Sequence, residues 1–402
     1  MLKIGIIREG KVPPDSRVPL TPKQCAWINA NHPVQIKVQT SPSRCYKDEA
    51  YAAEGIEVVE DVSDCEVLLG VKEVPIEQLI AAKKYFFFSH TIKKQAYNRA
   101  LLLAILEKNI RIFDYEVLTN ESGERLIAFG IFAGMVGAHN GLWTYGQRTG
   151  EFELKRMKDY YDYAEAVQAY QQITLPPLKI VLTGGGRVAS GSASVLEDMG
   201  VRKVSPNDYL TNDFEEAVFT QLNCEDYVKH QAGKTYDRQH FFNHPQEYVS
   251  NFEAYTKKSD LFINGIYWDN QAPAFFSAEE MKAEDFRIKV IADVTCDIAP
   301  VSSIPSTLRA STIADPVFGY DPLTGAEVPP FQQSYIDMMT IDNLPNELPR
   351  DASKAFGEQF ITSILEEVLN MKDSAVMQRA TVAIDGKLGP HFGYLEDYVV
   401  GE

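Results

Sequence analysis

Cysteine is scarce in this chain of 402 residues: there are five, at Cys25, Cys45, Cys65, Cys224 and Cys296, and no two are spaced as CxxC. An odd, scattered set excludes a disulfide framework and gives no zinc-ligand spacing, so no metal is expected and a reducing cytoplasm fits best. Long apolar runs are missing too. The stretch 128–138 falls far short of a membrane span and is broken by glycines. Positive charge is in deficit, with 39 Lys and Arg against 56 Asp and Glu, a net charge of −17. Such a balance repels nucleic-acid phosphates and anionic membrane surfaces, and neither is expected as a partner. The opening MLKIGIIREG reads as a strand and lacks the charged-then-apolar order of a signal peptide. Repeats and low-complexity segments are absent. What remains, at 45% hydrophobic and 24% charged, has the make-up of a soluble globular chain of two-domain size.

Short β-type runs alternate with helical stretches through the first third. Strands are predicted at 2–7, 34–39, 66–71, 85–89 and 110–114, and helices at 22–31, 48–53 and 93–109. Thr21 is placed to cap the first helix and Pro22 to occupy its first turn. This alternation predicts a doubly wound α/β domain. A long helical region is expected from 132 to about 172, ended by Pro176 and Pro177. A second α/β unit then opens with a strand at 178–183 and continues with strands at 202–205, 261–263 and 289–293. Residues 207–259 read as a partly helical insertion over the sheet edge, and 356–371 as an amphipathic helix. The last thirty residues carry no pattern that places them.

The strongest local signal is KIVLT-GGGRVAS-GSASVLEDMG. Gly184, Gly186 and Ala189 have the GxGxxG/A spacing of a dinucleotide-binding turn, with a strand before it and a helix opening near Arg187. The first glycine permits the tight turn, the second admits a pyrophosphate to the backbone, and the small third residue lets helix and strand pack closely. About twenty residues on, where an NAD site normally carries an acid for the adenosine ribose, this chain has Ser205, with Asp208 three positions later. The missing acid removes a repulsion against a 2′-phosphate, and with the cations Arg187, Arg202 and Lys203 nearby it tilts the cofactor slightly toward NADP(H), with NAD also open.

Lys72 follows one apolar strand in LLGVKEVP, and His90 follows another in FFFSHTIK. Ligands of parallel α/β sheets bind beyond the carboxyl ends of the strands, where both residues fall. Partial desolvation there brings such groups toward neutral pKa values and suits them to proton transfer. Glu73 and Glu116 occupy comparable strand ends and can tune the pair. Arg17 and Arg125 are candidates for gripping substrate carboxylates, since the guanidinium fork matches that group with two hydrogen bonds. His139, His230, His240, His244 and His391 show no ligand spacing.

The strings GVKEVP (70–75), FFSHTIK (87–93), FDYE (113–116), AFGIFAG (128–134), INGIYW (263–268), DVTCD (293–297) and IDNLPNELP (341–349) occur in this order along the chain. Through them the chain resembles the lysine-ketoglutarate reductase domain of bifunctional aminoadipic semialdehyde synthases. More broadly it resembles the superfamily of lysine-forming saccharopine dehydrogenase, alanine dehydrogenase and the transhydrogenase nucleotide-binding subunit. The resemblance implies two Rossmann-like domains with doubly wound, mostly parallel sheets and an interdomain cleft. A substrate domain at 1–135 would be completed by 345–402, and 136–344 would bind NAD(P). Lys72 and His90 match the catalytic lysine and histidine, Arg17 a substrate-carboxylate arginine, and Lys93, Glu73 and Glu116 groups that set the charge of the site. Ile266 and Tyr267 match residues beside the nicotinamide, and Asp297 the aspartate beside its ribose. Val188 stands where a relative carries a cysteine, so no redox switch is expected in the glycine turn. The implied reaction joins an amino acid, lysine, to a 2-oxo acid, 2-oxoglutarate, giving saccharopine. An alanine-dehydrogenase-like enzyme and a transhydrogenase-type nucleotide-binding subunit are the alternatives. No saccharopine-cleaving domain follows, which implies a stand-alone reductase.

Overall fold

A computed structural model of the protein describes residues 1–370 and 374–401. The chain forms two compact units, one made of Met1–Phe129 with Pro349–Glu402 and the other of Gly130–Leu348. Residues 130–135, given to the first domain on sequence, begin the helix Gly130–Thr149 of the second unit.

The first unit is built on an eight-stranded sheet. Six strands are parallel: β1 (Leu2–Ile6), β2 (Val34–Gln39), β3 (Glu57–Val59), β4 (Val67–Leu69), β5 (Lys84–Phe87) and β6 (Arg111–Asp114). Their order is β6-β5-β4-β1-β2-β3, and the strands Thr381–Ile384 and Lys387–Leu388 extend it antiparallel beyond β6. Chain direction across the sheet reverses between β1 and β4, so the carboxyl ends of the central strands converge at a switch point. β4 and most of β5 are buried, as strands covered on both faces should be. The helix Pro22–Asn31 starts with a capping box between Thr21 and Gln24 and with proline at its first turn. From the C-terminal segment, the helix Pro349–Ser363 lays Phe356 and Phe360 against Tyr115 and Phe86, and Phe86 stacks on Phe113 at 4.5 Å.

The second unit has its own mixed, mostly parallel sheet. β7 (Lys179–Thr183), β8 (Arg202–Lys203) and β9 (Val218–Leu222) come first; β10 (Val228–His230) and β11 (Tyr248–Ser250) form a separate ribbon. β12 (Leu261–Asn264), β13 (Val290–Asp293), β14 (Val317–Asp321), β15 (Ala326–Val328) and β16 (Ile336–Met339) complete the sheet in the order β15-β14-β16-β13-β12-β7-β9-β8. The helix Gly130–Thr149 packs closely on the helix Arg187–Asp198, because glycines face backbone on both sides. A methyl group on Gly134 would lie 1.8 Å from the Val188 carbonyl oxygen, and one on Gly191 would lie 2.0 Å from that of Ile131.

Several expectations are corrected. The helix expected over 132–172 stops at Thr149, where Gly150 takes φ +70°, and helix resumes only at Tyr163–Tyr170. The segment 93–109 is helical only over Arg99–Glu107, with short 3₁₀ turns before it. The predicted insertion 207–259 contains β9, a strand inside the sheet. The helix placed at 356–371 begins earlier, at Pro349, and breaks after Ser363 before Leu365–Asn370; residue 371 lies outside the described residues. The unplaced tail supplies two strands of the first sheet.

Candidate active site

In the first unit, the loops after β1, β4, β5 and β6 carry Arg17, Lys72, His90 and Glu116. His90 takes a left-handed conformation (φ 54°), which turns its ring out of the line of β5. Its Nδ1 lies 2.5 Å from Glu73 Oε1, and the other oxygen of Glu73 accepts from Lys11 Nζ at 2.9 Å. Burial pushes the Glu73 carboxyl up, but the His90 hydrogen bond and charge together with Lys11 outweigh it and hold the group at about 2. Lys72 is pushed below the ordinary lysine range by burial and then by the Arg17 charge. Glu116 stays ionised against its own burial because Lys93 (3.1 Å) and Arg125 (2.6 Å) both reach its Oε1.

Arg17 is 2% exposed, and its fork is engaged by Asp15 through Nε–Oδ1 at 2.9 Å and Nη2–Oδ2 at 2.6 Å. Its guanidinium lies over the Phe129 ring at 4.2 Å. This gives Arg17 a fixed place beside Lys72, with its charge already part-balanced.

Two supports escaped the sequence reading. Glu9 spans the backbone under Lys72, its carboxyl oxygens accepting from Val71 N–H at 2.6 Å and Lys72 N–H at 2.8 Å. Asp114, fully buried at the end of β6, accepts from Ser89 N–H (2.9 Å), Ser89 Oγ (2.5 Å) and Glu116 N–H (2.8 Å), and so fixes the residues beside His90 and Glu116. Glu9's partners are both backbone amides, and Asp114 adds only the Ser89 hydroxyl to its two, so no side-chain motif marks either acid. The only available signal was an acid in a turn at a strand end.

In the second unit the predicted glycine turn forms between β7 and the helix Arg187–Asp198. Gly184 has φ +108°, and a methyl group there would lie 2.7 Å from the Gly265 carbonyl oxygen. Gly186, the residue before the helix, faces open space, and no acid occupies the first helical turn. An open glycine before an unopposed helix N-terminus fits a pyrophosphate. Arg187 is exposed and Val188 half-buried in the same turn. Ile266 and Tyr267 follow β12, Tyr267 being 95% exposed, and Asp297 follows β13 with its carboxyl raised by burial. Beneath them runs a buried polar chain in which Thr183 Oγ donates to Asn264 (3.0 Å), Asn264 to Asp293 (2.9 Å) and Thr307 to Asp293 (2.7 Å). It ties the ends of β7, β12 and β13 at the edge where a nicotinamide dinucleotide would sit.

Ser205 is not in this group. It caps the helix Pro206–Thr211, bonding Asp208 N–H at 3.1 Å and the Asp208 carboxylate at 2.7 Å. The reason is strand order, since β9 lies between β7 and β8, and the strand end beside the glycine turn belongs to β9. Asn223 stands there, its Oδ1 2.8 Å from where a methyl group on Gly185 would be. The cations of β8 are engaged along the edge, Arg202 by Glu216 at 2.6 Å and Lys203 by Gln221 at 2.7 Å. All five cysteines are free thiols, and no helix among the described residues is long and apolar enough to cross a membrane.

Residues 5–136 match the family described as alanine dehydrogenase/PNT, N-terminal domain. An alpha-aminoadipic semialdehyde synthase of Arabidopsis thaliana is 28% identical over 98% of this chain, which spans 41% of that relative's length. A saccharopine dehydrogenase [NAD(+), L-lysine-forming] of Emericella nidulans is 27% identical over 90% of this chain and 92% of its own. Among solved structures, an L-alanine dehydrogenase superposes with a TM-score of 0.65 at 16% identity, covering 98% of this chain and 99% of that one. The chain is thus similar over most of its length to lysine-forming saccharopine dehydrogenases and shares the α/β fold of an L-alanine dehydrogenase.

Proposed function

We propose that the protein catalyses the reversible, nicotinamide-dependent reductive amination of 2-oxoglutarate with lysine to saccharopine. The unit holding Lys72 and His90 would take the amino acid and the oxo acid, and the unit holding the glycine turn the coenzyme. The observation that carries this reading is the His90–Glu73 pair at the end of β5, with Lys72 the neighbour of Glu73 in sequence. It is supported by homology to named lysine-forming enzymes over most of the chain.

In the reaction the lysine ε-amine attacks the ketone, the carbinolamine loses water, and the imine is reduced. When bound, the reduced coenzyme supplies the hydride. The chain's own residues handle protons and charge. An ionised Glu73 accepts only, so the proton between it and His90 resides on Nδ1. In the neutral ring the lone pair is then on Nε2, which takes a proton from the attacking amine, giving the cation that Glu73 balances, and returns it to the departing hydroxyl. Lys72, depressed by burial, donates to the developing alkoxide at lower energetic cost than a solvated ammonium. Lys93 and Arg125, half-exposed around Glu116, are the cations placed to hold substrate carboxylates, while the buried Arg17, its fork taken by Asp15, helps set the charge beside Lys72. The double variant Lys72→Met with His90→Gln is expected to abolish lysine- and 2-oxoglutarate-dependent oxidation of NADH. Full retained activity sinks the proposal.

For the coenzyme we infer a preference for NAD(H). Asn223 stands at the strand end beside the glycine turn with Glu225 two residues on, and Arg202 and Lys203 are engaged elsewhere. The fungal relative's name carries the same coenzyme. A kcat/KM ratio favouring NADPH over NADH would reverse this assignment.

A further inference from the structure

The segment between β9 and β12 contains a side-chain cluster that the proposed chemistry does not use. His230, His240 and Glu247 follow no regular spacing, yet the ribbon β10–β11 and the helix Arg238–Asn243 bring their ligand atoms within 4.8 Å of one another. His240 Nδ1 lies 3.1 Å from the Tyr248 hydroxyl, which itself donates to the Asp237 carbonyl at 3.4 Å. In the neutral tautomer that donates from Nδ1 to Tyr248, the Nε2 lone pair faces Glu247 Oε2, 3.8 Å away. A lone pair and a carboxylate oxygen facing each other across that gap are two ligand atoms that a cation between them would join.

His230 supplies a third donor. Its side chain is 5% exposed, and its Nε2 has no hydrogen-bond partner while lying 3.3 Å from the same Glu247 oxygen. Two ligands bound at about 2.0–2.1 Å on a tetrahedral centre stand about 3.3 Å apart. The half-exposed His240 and Glu247 leave one side open to solvent for a fourth ligand.

We propose that His230 Nε2, His240 Nε2 and Glu247 Oε2 bind a divalent transition cation of the zinc class, with water as the fourth ligand. The hydrogen bond from His240 to Tyr248 is the outer-sphere contact that orients a metal-ligating histidine. One contact opposes loading. His230 Nδ1 accepts the Ala232 N–H at 3.0 Å, so the empty ring carries its proton on Nε2. Binding must move that proton to Nδ1 and release the Ala232 contact, which sets the affinity below that of a site with all three nitrogens preset. The cation would clamp the ribbon to the helix Arg238–Asn243, with no part in hydride transfer.

The test is a titration of the untagged, chelator-stripped protein with Co²⁺, read by its visible ligand-field bands, then displacement by Zn²⁺. The expected result is a saturable one-to-one band of tetrahedral intensity. His240→Ala and Glu247→Gln should each weaken it by at least about tenfold, and Tyr248→Phe by about tenfold. All three should keep the parent circular dichroism and NADH oxidation rate. The absence of a saturable band overturns the proposal, as does a band of unchanged strength in the His240→Ala, Glu247→Gln double variant.

Discussion

Replacing Glu9 by glutamine tests the backbone clamp beneath Lys72. In the native loop its two oxygens accept from consecutive amides, at 2.6 Å from Val71 and 2.8 Å from Lys72. Glutamine keeps the shape and one acceptor but turns its NH₂ toward the second amide, so a donor meets a donor. A buried amide deprived of its acceptor costs about 1–3 kcal/mol. The carboxyl itself carries a pH signature, because burial first and then Asp15 raise it from 4.5 to about 8 against the pull of the two amides. Between those values the folded chain holds a proton that the unfolded chain has lost. Stability therefore falls as pH rises, by at most about 1.4 kcal/mol per unit. Water reaching the half-buried side chain reduces this, leaving about 1–2 kcal/mol between pH 6 and pH 8. Glutamine does not titrate, so the destabilisation caused by Glu9→Gln should be largest at pH 6 and shrink by that amount at pH 8 in urea unfolding. Displacing Lys72 by even 1 Å should also lower kcat about 10²-fold. A stability difference that is constant or grows toward pH 8, or a kcat within about twofold of the parent, refutes the clamp.

Gly191→Ala drives a methyl group into the Ile131 carbonyl, a backbone contact that cannot rotate away, and should lower stability by at least about 1–3 kcal/mol, seen as a reduced Tm. Arg156→Leu strands the buried Glu347 carboxylate, which among the described residues keeps Asn140 and the Lys158 amide as partners. The loss is expected at about 3–5 kcal/mol near neutral pH. Because burial raises the Glu347 carboxyl, it takes up a proton as pH falls, and the destabilisation should diminish toward acid in denaturant titrations at several pH values.

The parts of the candidate site that depend on side-chain type and strand position are the ones legible in the sequence. The glycine turn announces itself because a positive φ at Gly184 and an open face at Gly186 restrict residue choice locally. Lys72 and His90 stand out because each ends an apolar run. Glu9 does not, since its partners are amides 62 and 63 residues away and any sequence would supply those. The misplacement of Ser205 has another cause. Strand order depends on how the chain crosses the sheet, and nothing within 202–205 reveals that β9 will insert between β8 and β7. The histidine cluster needed the ribbon pairing of β10 and β11, which brings His230 opposite Tyr248.

The antiparallel strand Thr381–Ile384 that covers β6 has a consequence for biosynthesis. Arg111 and Thr381 touch across this edge although 270 residues separate them. The contiguous unit Gly130–Leu348 can close on itself while the chain is still being made, whereas β6 must wait with an unpaired edge until the downstream strand arrives. During that interval the apolar flank of Phe86, Phe113 and Tyr115 also lacks the cover of Phe356 and Phe360. Nascent chains stalled before residue 349 should therefore be the ones that recruit chaperones, and the proposed acid–base machinery would be assembled last.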